Sequence, residues 1–127
     1  MDILVVDDNA DYLQLLSEAL YTKGYTVHPA PDGIEACEIL TVKDIDIIVS
    51  DIKMPRLDGI KLHQFVRQLE RYKRTRYIFI TAYKEMYGDM LNLNPEIDFF
   101  LEKTVAVPEV VRLINKLAFG DFADVWI

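Results

Sequence analysis

Five polar side chains stand at the ends of short apolar runs, where parallel strands would bring them together. Asp7 and Asp8 follow the first run, and Asp51, Thr81 and Lys103 follow three later runs. Three carboxylates, a hydroxyl and an ammonium in one pocket could bind a hard cation and a phosphoryl group. At an effective dielectric of about 20, two carboxylates ~4 Å apart repel by ~4 kcal/mol, so at least one carboxyl pKa should rise unless a cation joins them.

Charge balance indicates which cation would complete this pocket. Lys103 offsets one carboxylate, and a divalent ion would offset the other two. Mg²⁺ prefers oxygen ligands and typically combines one or two carboxylates with waters and a phosphate group. The pocket is therefore predicted to be a magnesium-assisted phosphoryl site. Asp51 would be its nucleophile, Lys103 and Mg²⁺ would stabilise charge, and Thr81 would donate a hydrogen bond.

The elements that must position these side chains alternate along the chain. Strands are predicted at residues 3–6, 25–28, 45–50, 77–80 and 97–101, and the first is a continuous apolar run, which is typical of a strand covered on both faces. Segments with helical spacing follow at 10–23, at 34–40, after Gly59 to about 70 or 72, at 84–91 and from Pro108 onward. This order predicts an α/β fold, a doubly wound sheet of five parallel strands, with ligands bound beyond the strands' carboxyl ends.

Composition limits the class of protein. The 127 residues suit a single domain, predicted at 1–118 and followed by an apolar tail at 119–127. The net charge of −7 argues against nucleic acid as a direct partner. The lone Cys37 fits a reducing cytoplasm, and no apolar run approaches the roughly 18 residues of a membrane span. A cytoplasmic protein is expected.

Three further groups have ordinary structural interpretations. The tail aromatics are expected to pack back on the domain, or else to dock on a partner: Phe119, Phe122 and Trp126. Two histidines are expected to lie at the surface or in loops: His28 and His63. A basic run is expected to form a solvated helix end: Arg67, Arg71, Lys73, Arg74 and Arg76.

Four blocks of sequence resemble the response-regulator receiver domains of two-component signalling. They are I-L-V-V-D-D at 3–8, I-V-S-D-I-K-M-P-R-L-D-G at 48–59, I-F-I-T-A at 78–82 and F-L-E-K at 100–103. The resemblance covers roughly residues 2–118, and the order and spacing of all four blocks make it specific. It implies the flavodoxin-like, or CheY-like, strand order 2-1-3-4-5.

The resemblance implies a role for each matching position around the metal. Asp51 resembles the phosphoacceptor of the family. Asp8 and Asp51 resemble direct Mg²⁺ ligands, with the backbone carbonyl of Lys53 as a third ligand. Asp7 would act on the metal through water.

Other matching positions resemble the family's switch and tuning residues. Lys103 resembles the lysine that pairs with the phosphoryl group, Thr81 the switch hydroxyl and Phe100 the switch aromatic. Lys53 and Tyr83 occupy variable positions that tune the lifetime of the phosphoryl group. The bulk of Tyr83 leads us to expect slow self-dephosphorylation.

The implied function is a phosphoprotein of a two-component system or phosphorelay. A histidine kinase or a phosphotransfer protein would supply the phosphoryl group. The surface of the fourth helix, fifth strand and fifth helix would then switch and bind a downstream effector or a second copy. The chain would catalyse only its own phosphorylation and dephosphorylation, and so would not be an enzyme in the usual sense.

One residue departs from the family pattern. The family usually has a cis proline after the lysine, and this chain has Thr104 there. A cis bond to a residue other than proline costs ~3–4 kcal/mol, so a trans Lys103–Thr104 bond is predicted, with a loop that could place Lys103 differently.

Two alternative functions remain open at this stage. A haloacid-dehalogenase-like phosphatase also uses an aspartyl nucleophile and Mg²⁺, but it expects Asp-x-Asp after the first strand, where this chain has Asp7-Asp8-Asn9. A receiver-like interaction module that never accepts phosphate is disfavoured by Asp51, Thr81 and Lys103. The residue at Thr104 keeps that second alternative open.

Overall fold

The computed structural model describes residues 1–82 and 93–120 and places five parallel strands in one sheet. The strands are β1 Asp2–Val6, β2 Thr26–Ala30, β3 Ile47–Ser50, β4 Arg76–Thr81 and β5 Asp98–Glu102. Their order across the sheet is β2-β1-β3-β4-β5, and each neighbouring pair is parallel. The predicted fold class and strand order are confirmed.

Helices cover both faces of the sheet. They are α1 Ala10–Thr22, α2 Gly33–Val42, α3 Gly59–Gln68 and a C-terminal helix Val107–Phe119, which corresponds to the predicted fifth helix. The first three begin at polar caps, because Asn9, Asp32 and Asp58 each accept a hydrogen bond from the amide three residues later. The predicted fourth helix at 84–91 lies outside the described residues.

The buried side chains form two layers because successive strand residues point to opposite faces of the sheet. Leu4, Ile48 and Phe79 belong to the layer under α2 and α3. Val5 and Ile80 belong to the opposite layer, under α1 and the C-terminal helix. The apolar runs of the central strands β1, β3 and β4 are therefore explained, since their residues are buried on both faces. The edge strands β2 and β5 are only partly buried.

The structure corrects the interpretation of the basic run. The third helix ends at Gln68 and is followed by a short 3₁₀ helix, Glu70–Tyr72. Arg67 donates to the buried Asp98 and to the carbonyl of Tyr72, and Arg71 donates to the carbonyls of Leu40 and Lys43. These two guanidinium groups join α3 and the 3₁₀ helix to β5 and to the end of α2, rather than being simply solvated.

The expectation that His63 lies at the surface or in a loop is also wrong. Its side chain is 12% exposed, and its Nε2 lies 2.9 Å from Asp98 Oδ1. Its ring packs edge-on against Tyr77, with 4.9 Å between the ring centroids. The histidine is therefore part of the contact between α3 and the sheet.

The C-terminal helix ends at Phe119, whose side chain is 61% exposed and stacks on Tyr25 with 6.4 Å between the ring centroids. Phe122 and Trp126 lie outside the described residues, so the expectation that the tail packs on the domain stays a prediction. Over the described ranges, no helix combines the length and the apolar character that crossing a membrane requires.

Candidate functional site

Three aspartates meet at the carboxyl ends of β1 and β3. Asp7 and Asp51 directly follow these neighbouring strands, and their amides continue the sheet by donating to the carbonyls of Ala30 and Val6. Each of Asp7, Asp8 and Asp51 offers a carboxylate oxygen within 4.8 Å of the others. Asp7 and Asp51 are buried and Asp8 is exposed, so the cluster opens to solvent on the Asp8 side.

Lys103 reaches this cluster from the end of β5. Its Nζ lies 2.8 Å from Asp7 Oδ2 and 2.9 Å from Asp51 Oδ2. Its backbone amide donates to the carbonyl of Thr81 at 2.9 Å, which fixes the start of the loop. The Lys103–Thr104 peptide bond is trans, as predicted. The absence of proline at position 104 therefore does not keep the ammonium group out of the pocket.

Burial and crowding change the acidity of two groups. Burial raises the pKa of Asp7, and the neighbouring Asp51 adds to this, although hydrogen bonds from Lys103 and the Asn9 amide oppose it. Burial acts to lower the pKa of Lys103, but hydrogen bonds to Asp7 and Asp51 more than compensate and raise it. Lys103 thus stays protonated, and the raised pKa of Asp7 has the direction that burial and a neighbouring carboxylate produce.

The loop after β3 holds Asp51 in place. The amide of Ile52 donates to Asp51 Oδ1 at 2.7 Å. A Cβ atom at Gly59 would collide with the carbonyl oxygen of Asp51, so only glycine fits there. Arg56 has a positive φ of 67° and forms an ion pair with Asp32 across the loop. Residues 52–59 therefore form a supported turn around the carboxylate.

The proposed switch residues lie on one side of the sheet. Thr81 ends β4 and is fully buried. By the alternation of strand residues it shares a face with Phe79, whose register partner on β5 is Phe100. The rings of Phe79 and Phe100 are 6.1 Å apart, and Phe100 is partly buried. Phe79 is thus a neighbour of both Thr81 and Phe100.

Of the two tuning positions, only Lys53 lies within the described residues. Lys53 is exposed and follows Asp51 by two residues. Tyr83 lies outside the described residues, so nothing in the structure tests its predicted effect on phosphoryl lifetime.

Two features of the site were missed in the sequence. Tyr12 has the spacing of an apolar core position on α1, yet the Nζ of Lys103 lies 4.9 Å from the centroid of its ring. The Asp32–Arg56 pair was also missed, since it joins two loops far apart in sequence. The short sequence distance from Tyr12 to the Asp7-Asp8 pair is a signal that could have indicated the contact with Lys103. No local sequence pattern indicates the Asp32–Arg56 ion pair.

Comparison with known proteins identifies the family to which the chain belongs. The family model of the response regulator receiver domain matches residues 3–115. The chain belongs to this family. A receiver domain of this kind is a signalling domain, and the residues matched include all five pocket residues.

Curated relatives of this receiver domain differ widely in length. An uncharacterised 14.6 kDa protein of the sodA1 3′ region in Leptolyngbya boryana is 36% identical, over 94% of this chain and 92% of that protein. Sporulation initiation phosphotransferase F of Bacillus subtilis is 33% identical, over 75% of this chain and 73% of that protein. Sensor histidine kinase RcsC of Escherichia coli is 45% identical over 54% of this chain, but this covers only 7% of the kinase.

Solved receiver structures have the same fold. The Francisella response regulator 1452 receiver domain superposes with a TM-score of 0.80 at 28% identity, covering 91% of this chain and 94% of that chain. The response regulator TrrA of Thermotoga maritima, solved in complex with Mg²⁺ and BeF, has a TM-score of 0.79 at 30% identity. That alignment covers 91% of this chain and 97% of TrrA.

Proposed function

We propose that this receiver domain accepts a phosphoryl group on the carboxylate of Asp51. The observation that carries the proposal is the position of Lys103, whose ammonium bridges Asp51 and Asp7 at 2.9 and 2.8 Å inside the cluster of three aspartates. This arrangement supplies a nucleophile, a fixed positive charge and oxygen ligands in one partly solvent-accessible pocket.

The chemistry follows from the groups that surround Asp51. A carboxylate oxygen of Asp51 attacks the phosphorus of a phosphohistidine, a P–O bond forms, and the P–N bond breaks with its electron pair going to the imidazole nitrogen. The Lys103 ammonium stabilises the charge on the transferred group. The amide of Ile52, which donates to Asp51 Oδ1, holds the carboxylate in position.

The residues present fit a magnesium ion. Three carboxylates whose oxygens lie within 4.8 Å of one another form an oxygen-rich donor set, and the exposed Asp8 leaves the set accessible. We infer that Asp8, Asp51 and the Lys53 carbonyl would hold the ion directly and Asp7 through water. When bound, Mg²⁺ would neutralise charge on the phosphoryl oxygens.

Phosphorylation would be read out through Thr81 and Phe100. The Thr81 hydroxyl would donate to the phosphoryl group, and Phe100 would turn towards the space that Thr81 leaves. Their shared face, joined by Phe79, supports this coupling. The surface formed by the fourth helix, fifth strand and fifth helix would then shift its population towards a second conformation, which would bind an effector or a second copy of the chain. Lys53 and Tyr83 would set the lifetime of the phosphoryl group.

A histidine kinase or a phosphotransfer protein is the proposed phosphoryl donor. The support comes from relatives that are themselves named as a sensor histidine kinase and a sporulation phosphotransferase. The acidic net charge of −7 is consistent with a protein partner rather than nucleic acid. We propose a cytoplasmic signalling protein that catalyses only its own phosphorylation and dephosphorylation.

Incubation with acetyl phosphate and Mg²⁺ tests the proposal. The wild-type chain should gain the mass of one phosphoryl group, and chelation of Mg²⁺ should prevent this. Asp51→Asn should gain none, whereas the control Asp44→Asn, which changes a side chain 97% exposed, should behave like the wild type.

Two results would count against the assignment. Equal incorporation in Asp51→Asn would place the phosphoryl group elsewhere. Catalytic turnover of a phosphate ester, with many phosphates released per chain, would favour a phosphatase instead.

A further inference from the structure

The aromatic ring of Tyr12 covers the Lys103 ammonium group. The Nζ of Lys103 lies 4.9 Å from the ring centroid, within the range of a cation–π contact. Tyr12 is the third residue of α1, and its amide donates to the side chain of Asn9 at 3.0 Å. The Asn9 cap therefore fixes the turn of helix that carries the ring, and the ring packs against the core layer under α1.

The other partners of Lys103 are not permanent. Its ammonium contacts Asp7 and Asp51, and on the proposed function both carboxylates take new partners when metal and phosphoryl group arrive. The contact with the Tyr12 ring uses no oxygen atom that the metal or the phosphoryl group would bind. It can persist while the two carboxylates exchange ligands.

The backbone around Lys103 gives it limited support. The Lys103 amide donates to the Thr81 carbonyl, and the Val105 amide donates to the Glu102 carbonyl across the following turn. Position 104 is threonine in a trans peptide, so no proline ring stiffens this turn. A side-chain contact from α1 supplies a constraint that the loop itself lacks.

We propose that Tyr12 is a positioning residue that holds the Lys103 ammonium beside Asp51 through the face of its ring. The inference rests on the proposed function, because it assigns Tyr12 a part in the phosphorylation of Asp51. It does not involve the tyrosine hydroxyl. That oxygen is buried and has no hydrogen-bond partner among the residues that the structure describes, so phenylalanine should replace tyrosine without loss.

The first test compares Tyr12→Phe with Tyr12→Leu in phosphorylation by acetyl phosphate and Mg²⁺. Tyr12→Phe should react within about twofold of the wild-type rate, and Tyr12→Leu should react about three- to thirty-fold more slowly, the range expected for loss of one cation–π contact. Equal rates for Tyr12→Leu and wild type would overturn the inference. So would a Tyr12→Phe rate as low as that of Tyr12→Leu.

The second test separates positioning from general packing of α1. In a Lys103→Met background, Tyr12→Leu should cause no further loss of rate, because the ring then has no ammonium to hold. A loss of the same factor in both backgrounds would indicate a merely structural role and overturn the inference. Failure of the wild-type chain to accept phosphate would instead overturn the proposed function, and the inference with it.

A spectroscopic measurement on the free protein covers the case in which Tyr12→Leu does not fold. The ε-methylene protons of Lys103 should show an upfield NMR shift from the ring current in wild type and in Tyr12→Phe. Ordinary shifts for these protons in both folded proteins would show that the ring does not cover the lysine.

Discussion

At the scale of single residues, Gly59 controls the backbone that carries the phosphoacceptor. Its amide donates to the carbonyl of Ile52 at 2.7 Å, and a Cβ atom would collide with the backbone of Asp51 and Ile52. The colliding atoms are main-chain atoms, which cannot rotate away as a side chain would. A methyl group there must move either α3 or Asp51.

Gly59→Ala is therefore expected to destabilise the domain by ~1–3 kcal/mol and to slow phosphorylation of Asp51. Urea unfolding and the acetyl phosphate reaction measure the two effects. Gly24→Ala is the comparison, because a Cβ atom there meets open space. Its positive φ of 93° is strained for alanine, so this variant should lose about 1–2 kcal/mol of stability. Its phosphorylation rate should equal that of the wild type. Equal phosphorylation rates for Gly59→Ala and wild type would contradict the close approach to Asp51.

The residues that carry chemistry could be predicted because strand ends are visible in a sequence. Asp7, Asp51 and Lys103 each follow an apolar run, and parallel topology alone brings such positions to one edge. Tyr12 could not be assigned in this way, because its apolar spacing on α1 fits a core residue equally well. A tyrosine whose hydroxyl is buried and whose ring lies 4.9 Å from an ammonium group is visible only in three dimensions.

At the scale of elements, a buried ionic cluster joins α3 to the start of β5. Asp98 is 2% exposed and accepts hydrogen bonds from Arg67 at 2.6 Å and from the Asn94 amide at 2.9 Å, with His63 Nε2 also 2.9 Å away. Burial would raise the pKa of Asp98, but these hydrogen bonds outweigh it and lower the pKa below its ordinary value of 3.8. The carboxylate thus stays charged in the folded protein.

His63 makes this contact sensitive to pH. Burial lowers its pKa below the ordinary value of 6.5, although Asp98 partly opposes this. The unfolded chain therefore binds more protons here than the folded chain does. The contribution of His63 to stability is complete above pH 6.5. It declines as the pH falls through the lowered pKa that His63 has in the folded protein. The contribution of Asp98 has the same sign and is lost only below 3.8.

His63 should therefore lower the free energy of unfolding between about pH 7.5 and about pH 5, whereas Asp7, whose pKa is raised by burial, contributes with the opposite sign. Urea unfolding at both values measures it. His63→Gln should reduce the difference between the two pH values. A pH dependence unchanged in His63→Gln would contradict the assignment.

Element boundaries were predicted less well than element types. β2 begins at Thr26 and includes Pro29, and β3 begins at Ile47, because pairing with β1 rather than local apolar content sets both limits. The third helix ends early because Leu69 adopts an extended conformation before the 3₁₀ helix. These outcomes depend on neighbours distant in sequence, as the contacts of Arg71 do.

At the scale of the whole molecule, the fold class followed from the alternation of strand and helix patterns, and the strand order followed from the resemblance to receiver domains. The two core layers explain the apolar runs of the central strands β1, β3 and β4, which are buried on both faces. The molecule has a net charge of −7 and concentrates three carboxylates at one edge of the sheet. Lys103 offsets one of these charges, and repulsion among the others opposes folding unless a further cation relieves it.

Mg²⁺ should consequently raise the thermal unfolding temperature of the wild-type chain. An ion that binds only the folded state stabilises it by ~2.7 kcal/mol at one hundred times its dissociation constant. Asp8→Asn should show a smaller rise, and Asp44→Asn should match the wild type. Sodium chloride at equal ionic strength separates specific binding from screening. Equal rises in Asp8→Asn and wild type would remove Asp8 from the proposed ligand set.

Chemical mapping of the phosphorylated residue tests the central claim most directly. Borohydride reduces an aspartyl phosphate to homoserine, and peptide mass spectrometry then locates the reduced residue. After treatment with acetyl phosphate and Mg²⁺, homoserine should be found at position 51 and should be missing when Mg²⁺ is chelated. Homoserine at another aspartate, or none in a chain that carries phosphate, would contradict the account.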